Sequence, residues 1–409
     1  MPAAVLRRRT PRPAELRLAM LSLFAAGLGF GFLSLLAWRD MLFGTLGVPG
    51  IATAFLGALL AALPGRRLVG RALDARGMRR LLLAFAGVSA AGLVVLHVAG
   101  LVAGGGSAAF YVLPLFLLGL ATGACSRLSA ALVMGILPAR CSASLLSAGG
   151  VSFGLGGAAA SLLGVLALRS FAAGSLVLWA AAAPALLGYL ALRAGAARLR
   201  GEGAARGGAS VGPRGGERRP GSQRRSLMAV SLLCQAGAWG VATCCLPVHL
   251  LRGAGASGVV GAGALTAFWI AASTGWAASR RLPRIGQSPL TLVLPLALAA
   301  AAGLLLLTRW VPAVGLGAGL LGGGLGLLLP LTLDLGRWPS VLGGGGWLEA
   351  AVAGAVPAAT LAVGLVGALP FGIGPMAAVV SAVGCVMLAL ATLGLLLADY
   401  RLSGGPALV

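Results

Sequence analysis

The 409-residue sequence contains no lysine and no asparagine. Its 31 basic residues are therefore all arginine, and with 67 glycines and abundant alanine this reads as high-GC coding rather than as chemistry. Only eight acidic residues and two histidines are present. No Ser-His-Asp, Cys-His or paired-carboxylate arrangement can be assembled from them, which leaves hydrolytic chemistry little to work with, so no enzyme is expected. Two isolated histidines do not make a metal site, and neither metal nor cofactor is expected. The six cysteines, Cys125, Cys141, Cys234, Cys244, Cys245 and Cys385, form no CxxC pair. That excludes a disulfide framework or a zinc site and leaves buried thiols acting as small hydrophobes. Charged residues make up 10% of the chain, against about 25% in soluble proteins. A large soluble core is excluded, because a soluble chain must still cover its surface with polar groups.

What is present is apolar. Hydrophobic residues are 59% of the sequence and the mean hydropathy is +1.00. The net charge of +23 would point to nucleic acid in a soluble protein. Here the arginines sit in short clusters between long apolar runs, where a membrane protein carries its orientation signals, so no nucleic acid is expected.

A helix needs about 20 apolar residues to cross a bilayer. Six such spans are predicted at 16–38, 46–65, 80–101, 108–136, 143–168 and 171–193, and six more at 227–250, 257–279, 288–308, 312–335, 343–368 and 371–398. Gly and Pro interrupt the spans near 50 and 320, which neighbouring helices can tolerate. The first span is long, lacks a small-residue cleavage site and is followed by others, so it reads as a spanning helix rather than a removed signal peptide. With the N-terminus inside, 26 of the 31 arginines fall in cytoplasmic segments, four (Arg39, Arg169, Arg252, Arg309) fall outside, and Arg127 lies within a span. That ratio predicts an even helix count with both termini cytoplasmic.

The expected organisation is an all-α membrane protein of about 12 transmembrane helices. A basic cytoplasmic tail covers 1–15, and one six-helix bundle covers 16–193. A flexible Arg/Gly-rich cytoplasmic linker covers 194–226, and a second six-helix bundle covers 227–400. A weak internal repeat supports duplication. Gly70 and Asp74 precede Arg76, Gly77, Arg79 and Arg80 after the second span, while Gly275 and Ser279 precede Arg280, Arg281, Arg284 and Gly286 after the eighth.

The run GRALDARGMRR at 70–80 resembles the loop signature of the major facilitator superfamily, Gly-x-Leu-Ala-Asp-Arg-x-Gly-Arg-Arg, between helices two and three. Gly70, Asp74, Gly77, Arg79 and Arg80 match, and Ala75 stands where the family often has Arg. The second copy departs further, with Ser279 in place of Asp. The resemblance implies a multi-pass secondary transporter of the bacterial inner membrane. It would move a small organic solute by alternating access, as a monomer, with membrane lipids around it. It also implies a gating loop of Gly70, Asp74, Arg76, Gly77, Arg79 and Arg80. The Asp74 carboxylate would complement a helix N-terminus, and the arginines would bind acidic groups or lipid phosphate. In the family the loop's partner is the start of helix eleven, here 343–346, followed by Trp347 and by Glu349, a partner for the arginines. Topology signals alone would also explain these arginines.

Helix five reads GGVSFGLGGAAASLLG at 149–164. It has the glycines of the family's Gly-Pro signature, typical of antiporters, but Leu155 replaces the Pro, which weakens an exporter reading. These glycines are expected to permit close helix packing. Glycine patterns at Gly27, Gly29 and Gly31 and at 322–326 lie in apolar spans with no preceding strand, so they do not predict a nucleotide fold. A second resemblance, through 31–47 and the helix-five stretch, is to the membrane portion of fused membrane–spermidine-synthase proteins; their soluble cofactor-binding domain is absent here.

Charge within a span is costly and needs a reason. Arg127, toward the cytoplasmic side of helix four, is expected to face the bundle interior, either to attract an anionic substrate or as a structural ion pair. Glu349 reads as the gate partner, with a proton carrier as the alternative. Gln235 and Trp239 lie four apart on one face of helix seven and, with Trp269 and Trp276 of helix eight, are cavity candidates weighed against core packing. His97 and His249 fall near outer helix ends, where an interfacial role is expected. Proton-coupled transport and uniport both remain open. The alternative of a different class is a non-transporting facilitator-fold scaffold that binds a protein partner or lipid. A water-filled midplane cavity walled by Arg127 favours transport, and a packed, dry centre favours the scaffold.

Overall fold

The computed structural model describes Arg17, Met20, Leu21, Leu23, Phe24, Gly27, Leu28 and Gly31 of the first span, and residues 143–170, 222–282, 290–336 and 375–402. All regular structure among the described residues is helical. In hydrocarbon every backbone N–H and C=O must be satisfied within the segment, and an apolar helix does that alone.

Six helices carry the description. They are α1 at Ala143–Ser170, α2 at Ser222–Val248, α3 at Gly258–Ala278, α4 at Leu290–Leu306, α5 at Val311–Gly336 and α6 at Pro375–Leu402. Each lies within a few residues of an apolar run identified above. Among the described residues, four segments are long and apolar enough to cross a membrane: Ser226–Leu251, Gly258–Arg281, Val311–Thr332 and Ala382–Asp399.

The largest departure is at the start of α2, which begins at Ser222, inside the stretch whose composition reads as linker. An ion pair accounts for the extra turn: Arg224 Nε donates to Asp399 Oδ2 at 2.7 Å, tying the start of α2 to the end of α6. The glycine-rich α5 is continuous from end to end.

Pro247, Pro295 and Pro330 all lie inside helices. Pro247 has no N–H to offer the carbonyl four residues back, and two residues later α2 widens into a π-helical turn, His249–Gly253. Gly255, at φ 67°, turns the chain into α3, a conformation that suits a residue without Cβ.

Helix α3 lies between α1 and α5; α2 packs on α6; α4 packs on α5 and α6. Glycine sets the closeness of these contacts. A Cβ at Gly322 or Gly326 of α5 would overlap the carbonyl oxygens of Phe268 and Ala272 on α3. Gly275 of α3 meets the Gly323 carbonyl in return. The 322–326 run is thus a helix–helix seam, in keeping with its rejection as a nucleotide motif. Gly275 and Ser279, read above as a loop repeat, are the end of α3 and its 3-10 turn, where Ser279 Oγ donates to the Trp276 carbonyl at 2.7 Å. Large apolar side chains such as Leu304, Leu316 and Leu395 stay exposed on the outside, as a lipid-facing surface requires.

Candidate functional site

Along the inner face of α2, Ser231, Gln235, Trp239 and Thr243 recur every four residues, one above another, and all four are buried. Gln235 and Trp239 sit at the middle of the Ser226–Leu251 span.

The hydrogen bonds around Gln235 determine its orientation. Ser231 Oγ donates to the Ala389 carbonyl of α6 (3.2 Å), and Thr332 Oγ1 of α5 donates to the Leu328 carbonyl (2.9 Å). Both hydroxyls are then acceptors toward Gln235, whose Nε2 donates to Ser231 Oγ at 3.2 Å and to Thr332 Oγ1 at 2.7 Å. The amide nitrogen has used both protons, and three helices are joined. Gln235 Oε1 has no donor among the described residues, and Trp239 Nε1 has no acceptor. A buried polar group left unpaired costs about 1–3 kcal/mol. Two on one helix face, one donor and one acceptor, are an arrangement that a bound polar molecule would satisfy.

Aromatic rings surround Trp239. The Trp276 indole stacks on it with centroids 5.3 Å apart and planes 10° from parallel. Phe268 meets it edge-on at 5.2 Å, and Trp269 lies tilted at 5.2 Å. From α1, Phe153 reaches Trp269 and Trp276 in edge-to-face geometry at 5.8 and 6.3 Å. Trp269 and Phe268 are fully buried. Offset and edge-on pairs of this kind each add about 0.5–1.5 kcal/mol beyond the area they bury.

The rings fit because α1 presents glycine to them. A Cβ would come within 2.6 Å of the Trp276 ring at Gly150, and within 2.5 Å of the Trp269 ring at Gly157. At Gly154 it would run into Ser273 Oγ. Other glycines of α1 serve the first span: a Cβ at Gly156 would overlap the Phe24 carbonyl, and one at Gly27 would overlap the Phe153 carbonyl. The glycine run of helix five is therefore close packing on two faces.

Of the cavity candidates read from the sequence, Gln235, Trp239 and Trp269 come together here, with Trp276. Arg127, the loop residues Gly70, Asp74, Arg76, Gly77, Arg79 and Arg80, and Glu349 lie outside the described residues. His249 is packed within the protein near the end of its span: it is 2% exposed, and its Nε2 lies 3.1 Å from the Leu306 carbonyl at the end of α4. Sequence reading did not single out Ser231, Thr332, Phe268 or Phe153. The four-residue spacing of Ser231 from Gln235 was an available signal; Thr332, on another helix, offered none.

The helix arrangement is that of the major facilitator fold, in a multi-pass membrane protein. The chain is similar to the E. coli fucose:proton symporter FucP (TM-score 0.62, 14% identity, 95% of this chain and 99% of that one). It is also similar to the E. coli xylose transporter XylE in a partially occluded inward-open conformation (TM-score 0.65, 15% identity, 93% and 97%). A third similar structure is the human organic anion transporter MFSD10 (TM-score 0.58, 18% identity, 94% and 100%). No protein-family model matches the chain, and no curated protein matches it in sequence.

Proposed function

We propose that this chain is a secondary transporter that moves a small organic solute across the bacterial inner membrane by alternating access. The observation that carries the reading is the mid-span pair of unpartnered groups, Gln235 Oε1 and Trp239 Nε1, beside a cluster of rings. A solute with one donor, one acceptor and an apolar face would satisfy both groups and lie against the indoles. The arginine distribution supports cytoplasmic termini and two six-helix bundles joined by the 194–226 linker. In this reading the 70–80 loop and Glu349 hold the cytoplasmic side closed, and Arg127 adds attraction for an anionic group. Glu349 is the residue on which proton coupling would rest, with uniport as the alternative. The protein works as a monomer among membrane lipids, without cofactor or nucleic acid.

A second reading, a non-transporting scaffold that binds a protein partner or lipid, is favoured by the packing of the ring cluster, which fills the contact between α1 and α3 at mid-depth.

The test is a thermal-shift screen of the purified protein against sugars, organic anions, polyamines, amphipathic drugs and lysolipids, followed by counterflow uptake of any hit into proteoliposomes. A specific ligand at 100 times its dissociation constant stabilises by about 2.7 kcal/mol. A hit that is taken up establishes transport, and an anionic hit is then tried on Arg127→Ala. A flat screen and no uptake move the assignment to the scaffold.

A further inference from the structure

An apolar groove of about 370 Å³ opens at the end of the bundle where α2 passes to α3 and α4 to α5. Val260, Gly263, Ala264 and Ala267 of α3 form one wall, Val311, Pro312 and Gly315 of α5 the other, and Leu250 the end. Its volume lies within the ≈300–1,000 Å³ of small-ligand sites. From Val260 to Ala267 the groove runs about 10 Å along the helix axis, at 1.5 Å per residue. Glycine gives it depth: a Cβ at Gly263 or Gly315 would meet no atom within 4 Å.

The chemistry changes at the groove's upper end. Arg309 and Trp310 are both exposed and directly precede Val311. Among the described residues no carboxylate lies within ion-pair distance of Arg309. Exposed tryptophan next to arginine is the pairing found at the level of lipid headgroups. At the same end Ser257 makes no side-chain cap for α3, so the positive end of that helix dipole faces the headgroup level without that partner.

We infer that the groove holds one acyl chain of an anionic phospholipid whose phosphate lies against Arg309 and the start of α3. The occupant follows from the surroundings. The groove is open, is apolar along its length, lies among exposed apolar side chains such as Val260 and Leu316, and has an exposed arginine two residues before the wall that begins at Val311. This inference needs the membrane fold only and stands whether or not the chain transports a solute.

The test compares binding of phosphatidylglycerol and phosphatidylcholine of identical chains to the delipidated full-length protein, by native mass spectrometry and thermal shift. The variants are Gly263→Leu, Gly315→Leu, Arg309→Gln and Gly384→Leu. Gly384 also has open space around its Cβ position but lies on α6, away from the groove. The expected result is preferential retention of phosphatidylglycerol by the wild type and by Gly384→Leu. Either groove-filling leucine should cut retention at least tenfold. Arg309→Gln, at an exposed position, should lower the preference for phosphatidylglycerol over phosphatidylcholine by about fivefold, the factor one arginine supplies near an anionic surface. Equal retention in all four variants overturns the inference, as does an unchanged preference in Arg309→Gln. So does a groove variant that turns a dimer into a monomer at constant lipid content, because the groove then belongs to a second copy of the chain.

Discussion

The Trp276 indole is stacked on the Trp239 indole of α2, 5.3 Å between centroids, while from α1 it meets Phe153 edge-on and the bare glycines 150 and 154. One ring thus joins the inner face of α2 to helix α1, and its position depends on the absence of a Cβ at 150 and 154.

Gly154→Ala should therefore destabilise the protein by about 1–3 kcal/mol, the usual cost of overpacking a close contact. The same substitution at Gly384, with open space around its Cβ position, should instead be neutral or stabilising, since alanine is the better helix former by about 1 kcal/mol. Thermal unfolding of the two variants in detergent checks the pair.

Gln235→Met should separate stability from recognition. Ser231 and Thr332 keep their own carbonyl acceptors when the amide is removed, and the unpaired Oε1 disappears with it. Stability should change by less than about 1 kcal/mol. The thermal shift given by any solute that binds at mid-span should vanish. A variant with a much lower melting temperature but an undiminished solute-induced shift would make Gln235 purely structural.

Arg224 and Asp399 are joined at a partly exposed end of the bundle, with side chains 16% and 46% accessible. A double-mutant cycle with Arg224→Gln and Asp399→Asn should give a coupling of no more than about 1 kcal/mol, smaller in high salt.

His249 Nε2 faces a carbonyl oxygen, so that nitrogen carries the proton, and Nδ1 has no partner among the described residues. With two histidines in the chain, nitrogen-15 spectra of histidine-labelled protein should resolve His249 as the Nε2–H tautomer. His249→Phe should remove that signal and cost about 1 kcal/mol through the lost hydrogen bond.

Asp74→Asn should slow conformational cycling and leave membrane insertion intact, because the loop carboxylate is proposed to hold the closed state. Normal uptake by that variant would refute the gate.

The helices were legible because lipid makes length and hydropathy nearly sufficient. The runs at 143–168, 257–279 and 312–335 stand within two residues of α1, α3 and α5 at both ends. Hydropathy missed the first turn of α2, since Arg224 reads as linker until Asp399, 175 residues away, is seen beside it. It also missed the burial of His249, which depends on the end of α4 reaching it. Gln235 and Trp239 were recognisable as a pair from their spacing on one helix. Thr332 and Phe153 belong to the same site through contacts between helices, which no local pattern encodes.

The contact between α1 and α3 has one further consequence. One surface is nearly bare backbone, and the other carries broad flat rings. The two surfaces are as unlike as a lock plate and its bolt. They belong to the fifth and the eighth spans, which the internal repeat does not align with one another, so duplication alone does not require them to match. Each surface can therefore be altered only together with its opposite: a side chain added to one must be removed from the other.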